Sequence, residues 1–256
     1  MPMKDATVIL IAGWAHGAEA MAPLAEALQG RHQVVSTSVG ELYAEAHRGG
    51  EITDDPGGLS RCARGFAGQV AELDGPAALV GWSAGGMVAI EAAAALPQQV
   101  VALTVLSAAA RFCSDGPQSP GVAPAALRAM RGRIGRAPEA VLRDFFASAA
   151  APKEIFEAQL QHRVAAALEL GVDCLLDGLD YLRSADLEEA AKSLELPTLL
   201  LHGAEDRILP WPAGENLARL IPRKHFEILS GTGHLLIEQR PDIVGRRILK
   251  FLEDEP

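Results

Sequence analysis

Long apolar runs without polar alternation recur toward both ends of the chain, which is typical of strands covered on both faces of a sheet. Amphipathic segments of helical period separate these runs, and this alternation predicts parallel βαβ units. The predicted strands are residues 6–12, 33–38, 77–80, 100–107, 197–202 and 224–229. The predicted helices are residues 19–28, 60–73, 87–96, 211–220 and 242–252, and a long polar loop is expected around residues 40–60.

The middle of the chain has a different pattern, with no convincing strand between residues 111 and 193. Helical stretches are predicted instead at residues 124–133, 138–149, 152–170 and 172–182. Because the strand pattern resumes afterwards, we expect an α/β core formed by residues 1–110 and 194–256, with residues 111–193 inserted as a helical lid.

Composition adds limits on partners and location. The 256 residues are 49% hydrophobic and 22% charged, which is ordinary for a globular protein, and the net charge of -10 argues against nucleic acid or an anionic membrane as partner. The three cysteines are far apart and lack metal-ligand spacing, so we expect them to be reduced. No basic signal-peptide start and no run of about 20 apolar residues is present. We expect a soluble, cytoplasmic monomer without a metal or cofactor.

The sequence Gly81-Trp82-Ser83-Ala84-Gly85 fits the G-x-S-x-G nucleophile elbow, in which a serine stands on a sharp turn between a strand and a helix. The expected context is present, because an apolar strand precedes the motif and an Ala-rich helical segment follows it. Glycines suit this turn because a Cβ would collide where the strand and the helix pass closely. The motif predicts Ser83 as a nucleophile, although a Gly-rich chain can also contain it by chance.

A serine hydroxyl needs a base, and the base needs a carboxylate that orients it. In this architecture the order along the chain is Ser, then Asp or Glu, then His, with each residue on a loop after a late strand. Asp206 and His234 follow the last two predicted strands and are the candidate acid and base. Glu205 is the alternative acid, in which case Asp206 would cap the turn or pair with Arg207.

The negative oxygen of a tetrahedral intermediate needs two hydrogen-bond donors. One is expected from the backbone N–H of Ala84, directly after the nucleophile, and the other from the loop after the first strand. We assign the second donor to the N–H of Trp14, whose indole would also line the acyl pocket. The alternative is a tryptophan that only packs over the core.

These motifs resemble the α/β-hydrolase superfamily over essentially the whole chain. Gly13-Trp14 together with the sequence 81–86 is similar to the BioH-type pimeloyl-acyl-carrier-protein methyl ester carboxylesterases of biotin synthesis. The resemblance implies a serine esterase that forms an acyl-enzyme and uses a medium-chain acyl methyl ester, with acyl carrier protein as a partner. One departure concerns the oxyanion loop, because many relatives carry His-Gly where this chain has Ala12-Gly13.

The predicted lid carries a local excess of basic residues in a protein of negative net charge. Between residues 125 and 143 the only acid is Glu139, and the arginines are Arg128, Arg131, Arg133, Arg136 and Arg143. The resemblance implies that an acidic carrier protein docks on lid arginines, which charge complementarity supports, although such a run is often only a solvated helix face. Three phenylalanines would line an acyl tunnel or pack the lid on the core: Phe112, Phe145 and Phe146.

Other functions of the same fold stay open at this stage. A general small-ester esterase, a C–C bond hydrolase and a cofactor-free haloperoxidase would use the same three residues. A dehalogenase is disfavoured because its nucleophile is a carboxylate. A ligand receptor built on the hydrolase fold is a further alternative, against which an intact triad argues.

Overall fold

A computed structural model describes residues 6–48, 60–116 and 118–254 of the chain. Six strands form one parallel sheet in the order β2-β1-β3-β4-β5-β6. The strands are β1 (Thr7–Ala12), β2 (Val34–Ser38), β3 (Ala77–Trp82), β4 (Val100–Leu106), β5 (Thr198–Gly203) and β6 (Lys224–Leu229). This sheet confirms the predicted fold class.

Helices cover both faces of the sheet, which explains why the inner strands are largely apolar on both faces. Along β1, Ile9 and Ile11 belong to one apolar cluster, whereas Val8 and Leu10 belong to another on the opposite face. The helices outside the middle region are α1 (Ala22–Leu28), α2 (Val39–Arg48), α3 (Arg61–Ala71), α4 (Ala84–Ala95), α10 (Trp211–Leu220), α11 (Leu236–Gln239) and α12 (Pro241–Asp254).

The middle region is helical, as predicted, and lies between β4 and β5 along the chain. Its helices are α5 (Pro124–Ile134), α6 (Pro138–Ala150), α7 (Glu157–Glu169), α8 (Val172–Ser184) and α9 (Glu188–Lys192). We call residues 111–193 the helical insertion. Its separation from the core as a lid remains a prediction.

Two differences from the predicted elements lie in the first fifty residues of the chain. The first predicted helix is a 3-10 helix, Ala18–Met21, followed by the shorter α1. Residues 39–48, which lie largely in the region expected as a polar loop, form helix α2, because Val39, Leu42 and Tyr43 share one buried face. The remainder of that predicted loop, residues 49–59, lies outside the described residues.

The parallel arrangement brings the loops that follow the strands to one edge of the sheet, where ligand sites of α/β proteins are found. Gly13 and Trp14 follow β1, and Ser83 follows β3. Asp206 and His234 lie in the loops after β5 and β6. Among the described residues, no helix is both long and apolar enough to cross a bilayer.

Candidate active site

Ser83 occupies a strained turn between β3 and α4. Its backbone has φ 56° and ψ -124°, a region that non-glycine residues rarely adopt. A Cβ on Gly81 would overlap the carbonyl oxygen of Gly85, and a Cβ on Gly85 would overlap that of Ile11. Both glycines of the motif are therefore required by the close passage of strand and helix.

His234 lies between Ser83 and Asp206 and is within hydrogen-bond distance of both. Its Nε2 is 3.0 Å from Ser83 Oγ, and its Nδ1 is 2.8 Å from Asp206 Oδ2. A carboxylate can only accept, so Nδ1 carries the proton and Nε2 is left to accept the hydrogen bond of the serine hydroxyl. All three residues are buried. The structure thus brings together three side chains that are far apart along the chain.

Asp206 is held as an anion by several donors. Its Oδ1 accepts hydrogen bonds from the backbone N–H groups of Ile208 and Leu209, at 2.8 and 2.9 Å. Burial opposes ionisation, but charge attraction to His234 and hydrogen bonds from His202 and His234 outweigh it and hold the pKa of Asp206 well below its usual range. Asp206 is therefore available to orient the imidazole and to stabilise its charged form.

The alternative acid, Glu205, makes a different contact. Its Oε2 accepts a hydrogen bond from the backbone N–H of Thr232 at 2.8 Å, two residues before His234. The loop is also held by Trp82, whose indole N–H donates to the carbonyl of His234 at 2.9 Å. Glu205 and Trp82 thus bind the histidine loop through its backbone.

His202 is a buried histidine for which sequence reasoning proposed no role. Its Nε2 lies 2.9 Å from the carbonyl oxygen of Leu209 and 3.4 Å from Asp206 Oδ2. The ring packs closely on α10, where a Cβ on Gly214 would overlap it. The position of His202 near the end of a strand, four residues before Asp206, was the available signal.

The loop after β1 approaches the nucleophile closely. A Cβ on Gly13 would lie 2.8 Å from Ser83 Cβ, so only glycine fits there. Trp14 follows directly, and Ala84 is the first residue of α4. Gly13 and Ser83 are therefore in close contact. Each predicted oxyanion donor directly follows one of them along the chain, Trp14 after Gly13 and Ala84 after Ser83.

The predicted acyl-wall phenylalanines lie in different surroundings. The Phe145 ring meets the Trp14 ring edge to face, with centroids 4.9 Å apart. Phe146 borders a cavity of about 700 Å³ between α7 and the start of α1, and its ring lies 5.2 Å from that of His16. Phe112 is buried among core residues. Ser83 is not among the residues that line this cavity, which include His16 and Phe146.

His16 is a second buried histidine that sequence reasoning left without a role. Its Nδ1 lies 2.8 Å from the carbonyl of Trp14, and its ring packs 4.6 Å from Trp82. Burial is the main cause that lowers the pKa of His16 to about 3; the hydrogen bond with the Trp14 carbonyl opposes it in part, and Arg163 and His234 lower it further by smaller amounts. The ring is therefore neutral beside the site at physiological pH.

The basic segment of the insertion is less positive than its sequence indicates. Arg131 pairs with Asp180, Arg133 with Asp144 and Arg143 with Glu157, with closest N–O distances of 2.8 to 3.0 Å. These acids lie outside the segment counted in the sequence and are brought to it by folding. Within the part of the chain that the structure describes, Arg128 and Arg136 are exposed and have no ion pair.

Known proteins resemble this chain in sequence and in fold. Residues 8–247 match the alpha/beta hydrolase family. A pimeloyl-(acyl-carrier protein) methyl ester esterase of Xanthomonas oryzae pv. oryzae is 29% identical over 261 residues, covering 97% of this chain and 96% of that protein. An esterase from Exiguobacterium antarcticum superposes with a TM-score of 0.82 at 18% identity, covering 98% of this chain and 93% of the esterase. A bromoperoxidase from Bacillus anthracis gives 0.83 at 18% identity, with 98% and 92% covered.

Proposed function

Since this chain belongs to the alpha/beta hydrolase family and is a hydrolase, we propose that it is a serine carboxylester hydrolase with Ser83, His234 and Asp206 as its catalytic residues. The observation that carries the proposal is the unbroken hydrogen-bond chain from Ser83 Oγ through both nitrogens of His234 to Asp206. Ser83, at one end of these hydrogen bonds, has a strained backbone conformation, as a nucleophile elbow requires.

The reaction proceeds through an acyl-enzyme. His234 Nε2 takes the proton of Ser83 as Oγ attacks the ester carbonyl carbon, and the carbonyl oxygen becomes an anion. When the intermediate collapses, the C–O bond breaks and His234 gives its proton to the departing alcohol. Water, deprotonated by the same nitrogen, then attacks the acyl-enzyme and releases the acid with Ser83 restored.

The other residues hold charge during these steps. Asp206 keeps the Nδ1 proton in place and stabilises the imidazolium, because its depressed pKa keeps it ionised. The N–H groups of Trp14 and Ala84 donate to the oxyanion. Each such donor contributes about 10²- to 10³-fold to kcat in serine hydrolases.

We assign a medium-chain acyl methyl ester borne by an acyl carrier protein as the substrate, which would give the enzyme a role in biotin biosynthesis. This assignment is supported by the names of relatives that match nearly the whole chain.

Carrier docking would use the helical insertion. We narrow the predicted docking surface to Arg128 and Arg136, which are exposed and have no acidic partner among the described residues, whereas Arg131 and Arg143 are already paired. Replacing both Arg128 and Arg136 with Glu should lower kcat/KM for a carrier-borne ester more than for a free methyl ester, and high salt should reduce the difference. Equal losses on both substrates would reject docking there.

The test of the proposed activity is hydrolysis of methyl esters of graded chain length, each free and attached to acyl carrier protein. We expect ester hydrolysis that is lost in Ser83→Ala, with a preference for medium chains and a further gain on the carrier. Activity on short esters alone would indicate a general esterase. C–C cleavage or halogenation without ester turnover would favour those chemistries, and ligand binding without turnover would favour a receptor.

A further inference from the structure

We propose that one face of helix α8, formed by Leu175, Gly178 and Tyr181, holds the two oxyanion donors in position. This role rests on the proposed ester hydrolysis and goes beyond it, because it makes residues of the helical insertion positioning residues for the reaction. The three residues are three positions apart and therefore lie along one side of the helix. We call them the α8 contact face.

The first contact of this face is with the loop that carries the Trp14 donor. The Trp14 indole N–H donates a buried hydrogen bond to the carbonyl of Leu175 at 2.8 Å. One helical turn further on, Gly178 packs against the same ring, because a Cβ there would overlap Trp14 Cδ1 and lie 3.1 Å from Nε1. The helical insertion thus fixes the side chain of Trp14. The backbone of Trp14 comes directly after Gly13, which is in close contact with Ser83.

The second contact is with the helix that carries the Ala84 donor. The Tyr181 hydroxyl donates to Glu91 Oε2 at 2.6 Å. Glu91 lies seven residues after Ala84, which is two turns along the same side of α4. The α8 contact face therefore touches both elements whose N–H groups are assigned to the oxyanion.

Glu91 is a buried carboxylate that depends on these donors. Besides Tyr181, it accepts hydrogen bonds from the Ser60 hydroxyl at 2.8 Å and from the Ser60 backbone N–H at 3.0 Å. A buried carboxylate is costly unless its oxygens are hydrogen-bonded, so loss of the Tyr181 hydroxyl should move α4 or the carboxylate.

Small displacements matter at this site because catalysis depends on fixed donor positions. A shift of about 1 Å in a positioned group can lower a rate by about 10²-fold. A methyl group on Gly178 would push the Trp14 ring, and with it the loop, away from α8. In an open helix the same change would be stabilising, because alanine is a better helix former than glycine.

The experiment compares Gly178→Ala and Tyr181→Phe with a matched control, Gly132→Ala. Gly132 lies in helix α5 of the same insertion, and a Cβ there has nothing within 4 Å. For each variant, kcat and KM are measured on p-nitrophenyl acetate, affinity is measured for an alkyl boronic acid that forms a tetrahedral adduct with Ser83, and thermal unfolding is recorded.

We expect kcat to fall about tenfold in Gly178→Ala and Tyr181→Phe, with KM within about twofold of wild type. A displaced oxyanion donor should stabilise the transition state less than a donor in its native position, but more than no donor at all. Boronic acid affinity should fall in parallel, and Gly132→Ala should match wild type. Tyr181→Phe removes a single hydroxyl and serves if Gly178→Ala does not fold. Wild-type kcat and boronate affinity in a folded variant would overturn the positioning role alone, whereas absence of ester turnover in the wild type would overturn the proposed function as well.

Discussion

Replacing Asp206 with Asn changes one atom of the proposed relay and reverses the direction of its hydrogen bond with His234. The amide oxygen can keep the two backbone N–H bonds of Ile208 and Leu209, so the loop should keep its shape. The amide NH₂ then faces His234 Nδ1, where the carboxylate oxygen stood at 2.8 Å. A donor at that place forces Nδ1 to accept and moves the ring proton to Nε2.

The consequence is loss of the base. With a proton on Nε2, His234 donates to Ser83 Oγ across the 3.0 Å contact and cannot take the serine proton. The same change of tautomer in a serine protease lowers kcat by about 10⁴-fold with its geometry intact. At 1.36 kcal/mol per decade, this is a rise of about 5 kcal/mol in the barrier.

The assay is kcat on an activated ester, with Glu205→Gln as the matched control. Glu205 is adjacent along the chain and also loses one charge, but it contacts the Thr232 backbone and not His234. We expect a decrease of about 10³- to 10⁴-fold for Asp206→Asn and less than tenfold for Glu205→Gln. A folded Asp206→Asn enzyme that keeps a tenth of wild-type kcat, or an equal loss in Glu205→Gln, would refute the assignment of the acid.

Two further predictions concern the elbow and a buried histidine. Gly85→Ala should lower the free energy of unfolding by about 3 kcal/mol or more, because its Cβ would overlap the backbone of Ile11. Gly68→Ala, whose Cβ would have nothing within 4 Å, should not lower it. Equal denaturation midpoints for the two variants would contradict this. Because the pKa of His16 is lowered to about 3, the unfolded chain binds a proton between pH 6.5 and 3 that the folded protein does not. His16 therefore contributes stability that is present above pH 6.5 and is lost on acidification, by about 1.4 kcal/mol per pH unit within that range. His16→Gln should remove this slope from urea unfolding measured between pH 6 and 4, while the exposed His162→Gln should keep it; an unchanged slope in His16→Gln would show that another group is responsible.

The sequence was sufficient for features that short-range sterics and strand order determine. The motif formed by Gly81, Ser83 and Gly85 predicts a tight turn in which a larger residue would collide at either glycine position. The carboxyl ends of parallel strands must also share one edge of the sheet. The positions of Asp206 and His234 after β5 and β6 follow from these rules. Their mutual distances are a result of the fold.

Features that depend on contacts between residues far apart along the chain could not be predicted from the sequence. The sequence predicts Arg131 and Arg143 to be part of an unpaired basic patch. No residue near them in the sequence indicates that Asp180 and Glu157 fold against them. Burial of His16 and the contact of Trp14 with α8 likewise depend on how the insertion packs on the core. In contrast, the amphipathic spacing of helix α2 was present in the sequence and was obscured by the polar residues around it.

The central claim is that Ser83 becomes a nucleophile because His234 and Asp206 converge on it, and mass spectrometry of the acyl-enzyme tests this most directly. The protein is mixed with p-nitrophenyl acetate, quenched in acid within the burst phase, and mapped by peptide mass. We predict one acetyl group on the peptide containing Ser83, its absence in Ser83→Ala, and a rate of formation reduced by several orders of magnitude in His234→Ala. A burst that persists in Ser83→Ala, or acetylation confined to another residue, would contradict the account.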